Sequence, residues 1–72
     1  MTHHKFRLQQ DVINILGRQI QPVGLEELVH QVINEGFKSQ RVYAPSEIRD
    51  TLSVLVDTGF VDKQDGLYQW RE

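Results

Sequence analysis

The chain has 72 residues, no cysteine and a formal net charge of −2 at neutral pH. This length predicts a single domain over residues 1–72, with its packed part from about residue 6 to residue 70. The absence of cysteine excludes a disulfide scaffold and a thiolate metal site. The chain shows no signal peptide and nothing near the ~20 apolar residues of a membrane span, so we expect a small soluble domain inside the cell, in the cytoplasm or, in a eukaryote, the nucleus.

The first predicted element is a helix over residues 5–19. Val12, Ile15 and Leu16 stand three and four positions apart, which is the spacing that places apolar side chains on one buried stripe of a helix. Pro22 disfavours the helical region for the residue before it, so the helix has to end by that point.

The second predicted helix covers residues 25–35 and has the most regular helical period in the chain. Its apolar residues are Leu25, Leu28, Val29, Val32 and Ile33. They repeat at three- and four-residue spacing, which predicts one buried face. We expect Gly36 to end this helix as a left-handed cap and Phe37 to fold back onto its last turn.

A polar loop over residues 38–44 precedes the third predicted helix, which runs from residue 45 to about residue 58. Pro45 suits the first position of a helix because its missing N–H needs no partner there. The capping residue is either Ala44, which precedes that proline, or Ser46, which has the better capping side chain. The residues predicted to face inward are Ile48, Leu52, Leu55 and Val56.

The last part of the chain predicts a β-hairpin. Gly59 ends the third helix, and Phe60 and Val61 begin the first strand. The Asp65-Gly66 pair is a strong two-residue turn signal because both residues tolerate positive φ. Residues 67–70 then form the returning strand.

The order of these elements resembles the winged helix-turn-helix superfamily. The resemblance implies a mainly α fold with three helices and a small wing of two or three strands, in which Val23 pairs with the wing as a short extended segment. The residues that carry the resemblance are Leu25, Leu28, Val29, Val32, Ile48, Leu52, Leu55, Gly59, Phe60, Val61, Gly66, Tyr68 and Trp70. The long loop followed by residues 44–48 is also similar to the winged-helix modules attached to restriction enzymes and chromatin regulators.

The resemblance implies a small DNA-binding protein of the transcription-regulator type. In such proteins the third helix enters the major groove of double-stranded DNA and the wing contacts the backbone. The candidates on the third helix are Ser46, Arg49, Asp50 and Ser53. The candidates for phosphate contacts are Lys38, Gln40, Arg41, Lys63 and Gln64. A homodimer would place two such helices on paired half-sites.

The charges of the third helix favour a different function. Its outward face carries three acidic residues and one basic residue, whereas a DNA reader needs a basic surface. These residues are Glu47, Asp50, Asp57 and Arg49. The alternative is a winged-helix protein–protein interaction module without nucleic-acid binding.

The candidate interface of this alternative is an exposed apolar patch. Its residues are Val42, Tyr43 and Val54, extended by Phe6 and Leu8. The competing interpretation is that Val42, Tyr43 and Phe6 pack over the small core instead. The need of a short chain for core residues favours that packing for Tyr43 and Phe6.

No residue set indicates a chemical reaction. The serines have no histidine–carboxylate pair implied nearby, and there is no glycine-rich phosphate loop. His3 and His4 are adjacent and His30 lies on the polar face of the second helix, a spacing unlike that of metal ligands. Tyr68 and Trp70 share one face of the closing strand, where we expect core packing rather than base stacking. We predict no catalytic residue, no metal or other cofactor, no small-molecule substrate and no membrane partner.

Overall fold

The computed structural model of the protein describes residues 3–71 and shows helices packed against a small antiparallel sheet. In chain order the elements are α1 (His3–Arg18), β1 (Val23–Gly24), α2 (Leu25–Lys38), α3 (Pro45–Asp57), β2 (Val61–Gln64) and β3 (Leu67–Trp70). This arrangement confirms the predicted fold class, mainly α with a small wing.

The sheet has the strand order β1-β3-β2, and both pairings are antiparallel. Val23 lies opposite Tyr68, so the short extended segment pairs with the wing as the resemblance implied. Asp65 and Gly66 have φ angles of 55° and 77°, both positive, as a type I′ hairpin turn requires. The hairpin prediction is therefore confirmed in both its strands and its turn.

The core collects one side of each helix and the inward side chains of the sheet. Its buried residues are Leu8, Val12, Ile15, Leu16, Val23, Leu28, Val32, Tyr43, Ile48, Leu52, Leu55, Val61 and Tyr68. Tyr68 is buried as predicted, and Trp70 is half-buried against the same cluster. The helical stripes identified by spacing are therefore the faces that pack together.

The end of α2 differs from the prediction. The helix continues through Gly36 to Lys38, and the left-handed residue is Gln40, whose φ is 60°. The N–H of Gln40 donates to the carbonyl of Phe37 at 3.0 Å, and the N–H of Arg41 donates to the carbonyl of Gly36 at 2.7 Å. These two bonds are the pattern of a Schellman cap. The prediction of Gly36 as the cap was wrong, and Phe37 is exposed rather than folded back.

The ends of α3 follow the predictions and settle the choice of cap. Ala44 occupies the N-cap position and Pro45 the first helical position, while the Ala44 N–H donates to Oε1 of Glu47 at 2.9 Å. At the other end Gly59 has a φ of 88°, and the N–H of Phe60 donates to the carbonyl of Leu55 at 3.0 Å. Gly59 therefore ends the helix in a second Schellman cap.

Among four apolar residues of the proposed patch, Tyr43 packs on the core, as the favoured interpretation predicted. Tyr43 and Leu8 are buried, at 3% and 1% exposure, so neither is an exposed residue of the patch. Phe6 and Val42 are 58% and 73% exposed, so the interpretation that they pack on the core was wrong. Helix geometry explains the pair on α1, because residues two apart lie on nearly opposite sides and Leu8 takes the inward side.

Candidate interaction surface

The exposed face of α3 carries two neighbouring rows of side chains at three- and four-residue spacing. The serine–arginine row consists of Ser46, Arg49 and Ser53. The acidic row consists of Glu47, Asp50, Val54 and Asp57. All of these residues are exposed except Glu47, which is half-buried. A partner that meets α3 from solvent would therefore contact one or both rows.

Part of the acidic row forms one wall of an open groove between α1 and α3, which we call the α1–α3 groove. The members of the row that line it are Glu47, Asp50 and Val54, while Asp57 lies outside the lining. Its volume is about 270 Å³. The lining residues are Lys5, Leu8, Gln9, Glu47, Asp50, Thr51 and Val54. Leu8 is a buried core residue, whereas Val54 is 55% exposed. The groove thus offers an apolar patch with polar and charged residues around it.

Glu47 is already engaged on both carboxylate oxygens. Oε1 accepts the Ala44 N–H, and Oε2 lies 2.9 Å from Nε2 of His4 on α1. The bond from the Ala44 N–H, and secondly the contact with His4, lower the pKa of the Glu47 carboxyl below its ordinary value. This carboxylate therefore ties α1 to the first turn of α3 beside the groove that it lines.

Asp50 and Asp57 differ from Glu47 in their ion pairing. Among the side chains that the structure describes, the ion pairs within 4.0 Å are His4–Glu47, Arg18–Glu35 and Arg71–Asp62. Neither aspartate takes part in one of these pairs. Their charges are therefore directed to solvent on the exposed side of α3.

The wall formed by α1 is held in position by Tyr43. Its hydroxyl donates to Oδ2 of Asp11 at 2.7 Å, and its ring meets the edge of the His4 ring with centroids 5.5 Å apart. Burial of the ring, and then the bond to Asp11, raise the pKa of Tyr43 to about 12. The loop before α3 is thereby fixed against α1.

The candidates for DNA contact are distributed over three parts of the fold. Ser46, Arg49 and Ser53 come together on α3, where the acidic row lies beside them. The remaining candidates lie at the end of α2 and in the loop after it, or on β2; they are Lys38, Gln40, Arg41, Lys63 and Gln64. Each is exposed except Arg41, which is half-buried, and Lys63 places Nζ 5.6 Å from the centroid of the Tyr68 ring.

Three lining residues of the groove, Lys5, Gln9 and Thr51, were not predicted. Val54 and the acidic charges of α3 were identified from helical spacing, because that information is local to one helix. The α1 wall depends on how two helices cross, and the sequence contains no local signal for that contact.

In the part of the chain that the structure describes, no three histidine, cysteine, aspartate or glutamate side chains come together as a metal site would require. The side chain of His3 lies outside the described part. The helices between residues 3 and 71 are too short or too polar for any of them to cross a bilayer.

Comparisons of the sequence with profiles of known protein families and with curated protein sequences give no match. Comparison of the fold with solved structures gives a match to the structure of the Dcn1(P)–Cdc53(WHB) complex, which concerns a dual E3 mechanism for Rub1 ligation to Cdc53. WHB denotes a winged-helix B domain. The TM-score is 0.86 at 16% sequence identity, covering 99% of this chain and 83% of that chain. Together with the strand order and the wing described above, this likeness shows that the chain has a winged-helix fold.

Proposed function

We propose that this chain is a protein–protein interaction module and that the α1–α3 groove is its contact surface. The observation that carries the proposal is the position of Val54. This apolar side chain is 55% exposed on the outer side of α3, the helix that a DNA-reading winged helix would present to the major groove. Acidic residues precede and follow it on the same row, where phosphates would be repelled.

The dimensions of the groove favour a protein partner over a small molecule. Pockets for drug-sized ligands enclose about 300–1,000 Å³, and this groove is open with about 270 Å³. That space suits one or two side chains of a partner. An apolar centre with a polar rim is also the usual composition of a protein contact surface.

The structural neighbour supports the same function. It is a complex between two proteins, and its Cdc53 component is a winged-helix domain. This support is an analogy between folds, because one fold serves many functions and the functional residues must be argued separately. The separate argument here is the exposed valine and the acidic row.

DNA binding is the second candidate, and one observation favours it. Ser46, Arg49 and Ser53 share a row on the third helix, and an arginine there can form two hydrogen bonds with a guanine. Beside that row lie Asp50 and Asp57, neither of them neutralised by a described side chain. The net charge of −2 gives no compensating basic field. The homodimer considered above is part of the DNA-binding alternative, because a second copy of the chain would add a second weak contact at the paired half-site.

The first experiment measures binding of the purified protein to random double-stranded DNA by fluorescence anisotropy at about 50 and 200 mM salt. A protein that contacts three or four phosphates should show a log–log slope near −3. We expect no binding at tens of micromolar protein. A salt-dependent isotherm that is lost with Arg49→Ala would support DNA binding and overturn our proposal.

The second experiment compares affinity capture from cells by the wild type, Val54→Asp and Ile20→Asp. Ile20 is 93% exposed and follows the C-terminal end of α1, whereas the groove lies near the N-terminal end. Both changes replace an exposed β-branched apolar residue with a carboxylate. We expect Val54→Asp to lose partners that Ile20→Asp retains. Equal capture by the two variants would contradict a contact through the groove.

A further inference from the structure

We infer that the occupant of the α1–α3 groove is a basic amphipathic helix of the partner protein. It would place an apolar side chain on Val54 and direct lysine or arginine side chains to Asp50 and Asp57. This inference rests on the proposed function, which it deepens by naming the chemistry of the partner. It follows from the spacing of the row, the free charges and the shape of the groove.

The spacing of the acidic row matches one side of a helix in the partner. Asp50, Val54 and Asp57 are four and three residues apart, so at 1.5 Å per residue they lie about 6 and 4.5 Å apart along α3. A partner helix with residues at three- and four-residue spacing repeats the same intervals. One apolar residue flanked by two basic residues is therefore the simplest complement.

The unpaired carboxylates of the acidic row determine which charge the partner needs. His4 and the Ala44 N–H already engage Glu47, while Asp50 and Asp57 have no ion-pair partner among the described side chains. Both aspartates are exposed. Opposite charges across a contact guide association and select partners, whereas an acidic helix would be repelled.

The two walls of the groove differ in charge. The α3 wall is acidic, but Lys5 stands on the α1 wall together with the neutral Gln9. A partner with basic residues all around would meet repulsion at Lys5. The partner helix is therefore basic on the flank that faces α3 and neutral or acidic on the flank that faces α1.

The shape of the groove favours a helix. It is an open channel between α1 and α3 whose exposed apolar side chain is Val54; Leu8, which also lines it, is 1% exposed. An amphipathic helix can lay one narrow apolar stripe into such a channel, which is a recurring mode of peptide recognition. The side chains at three- and four-residue spacing on α3 also form the ridges against which another helix packs.

The test is a selection from a phage-displayed library of helical peptides, each with one central apolar residue and randomised flanking positions. The probe is therefore a defined peptide and not the cellular partner. We expect enriched peptides to carry lysine or arginine three or four residues from the apolar residue. Their affinity for Val54→Asp should be at least tenfold weaker than for the wild type.

Charge reversal then tests the named contacts. Asp50→Lys and Asp57→Lys should each weaken an enriched basic peptide about threefold or more, and a peptide with glutamate at the paired position should regain binding. Glu26→Lys is the matched control, because Glu26 is an exposed acid in the first turn of α2 and lies outside the groove. It should leave the affinity within twofold.

The outcomes separate this inference from the proposed function. Weaker binding of enriched peptides to Val54→Asp than to the wild type shows that they occupy the groove. If such peptides are neutral or acidic, they overturn the basic-helix inference but leave the docking surface intact. Basic peptides unaffected by Asp50→Lys and Asp57→Lys would overturn it as well. Selected peptides insensitive to Val54→Asp, together with equal cellular capture by Val54→Asp and Ile20→Asp, would overturn the docking surface itself.

Discussion

The hydroxyl of Tyr43 donates a 2.7 Å hydrogen bond to Oδ2 of Asp11, which joins the loop before α3 to the middle of α1. These residues are 32 positions apart in the chain. The ring of Tyr43 also closes over Gly36 on α2. The side chain of Tyr43 thus contacts α1 and α2, and the residue itself lies two positions before the start of α3.

Replacement of Tyr43 by phenylalanine should destabilise the protein by about 1–2 kcal/mol. The change keeps the ring but removes the donor to a half-buried carboxylate, and hydrogen bonds to charged groups contribute about 1.5–3 kcal/mol. Urea unfolding followed by circular dichroism measures the difference. The control is Tyr68→Phe, because the Tyr68 hydroxyl has no hydrogen bond to the described residues. Equal losses in the two variants would show that the Asp11 bond contributes nothing.

The same tyrosine predicts sensitivity to alkaline pH. Folding raises the pKa of Tyr43 from 10.0 to about 12. The contribution is therefore complete below pH 10 and is lost as the pH rises through 12, because the unfolded chain ionises first. A two-unit shift corresponds to about 2–3 kcal/mol. Urea unfolding between pH 9 and 12 should show this loss in the wild type and a smaller loss in Tyr43→Phe. Parallel curves would contradict the assignment.

Gly36→Ala should destabilise the protein even though alanine is the better helix former. A Cβ at this position would lie 2.8 Å from two atoms of the Tyr43 ring and 3.0 Å from the Arg41 carbonyl oxygen. Overpacking of a core usually costs about 1–3 kcal/mol, which exceeds the gain in helix propensity of up to about 1 kcal/mol. We expect a net loss of about 1–2 kcal/mol in thermal or urea unfolding.

Gly17→Ala is the matched control for that prediction. Gly17 is also helical, in α1, but a Cβ there would meet nothing within 4 Å. The substitution should therefore stabilise the protein by about 0.5–1 kcal/mol through helix propensity alone. Opposite signs for the two glycines would establish the contact with Tyr43. A gain at both positions would show that the ring moves away at little cost.

The contrast between the two helix caps shows which features the sequence could predict. Gly59 ends α3 as expected, and the Asp65-Gly66 turn forms as expected, because both signals are local backbone preferences. The same local preference predicted a cap at Gly36, but α2 continues through this residue. The structure needs a glycine there because the Tyr43 ring leaves no room for a Cβ, and helical periodicity does not reveal this contact between residues seven apart in the chain. The residue that adopts the left-handed conformation is Gln40, although glutamine has no special preference for it.

The candidate surface shows the same division. Helical spacing placed Val54, Asp50 and Asp57 on the outer side of α3, and each is exposed there. The burial of Tyr43 and the exposure of Phe6 depend on how α1 meets the loop before α3. Composition identified the charges that a partner would meet, but the groove exists only after two helices have packed.

Gln40→Gly should stabilise the protein by about 0.5–1 kcal/mol. Gln40 has a φ of 60° at the cap of α2, a conformation that is costly for a residue with a Cβ and favourable for glycine. Part of the gain is offset because glycine also loosens the unfolded chain. The control is Ser39→Gly, since Ser39 has a φ of −101° and gains nothing from glycine. A melting temperature that falls equally in both variants would contradict the strain at Gln40.

Glu47→Ala should lower the free energy of unfolding by about 0.5–1 kcal/mol, because it removes the acceptor for the Ala44 N–H at the start of α3. The pKa of this carboxyl is lowered in the fold, so its charge-dependent contribution is present above the unfolded pKa and declines as the pH falls through the folded pKa. That contribution is small, because solvent screens a side chain that is 39% exposed.

Two further variants separate the partners of Glu47. Glu47→Gln keeps an acceptor for the Ala44 N–H and should retain most of the stability at pH 6. His4→Ala removes only the second partner, so its effect should be smaller than that of Glu47→Ala, because the Ala44 bond is the larger cause of the lowered pKa. Urea unfolding at pH 6 and pH 3.5 provides the comparison. A larger loss from His4→Ala than from Glu47→Ala would mean that His4, and not the helix cap, fixes the position of this carboxylate.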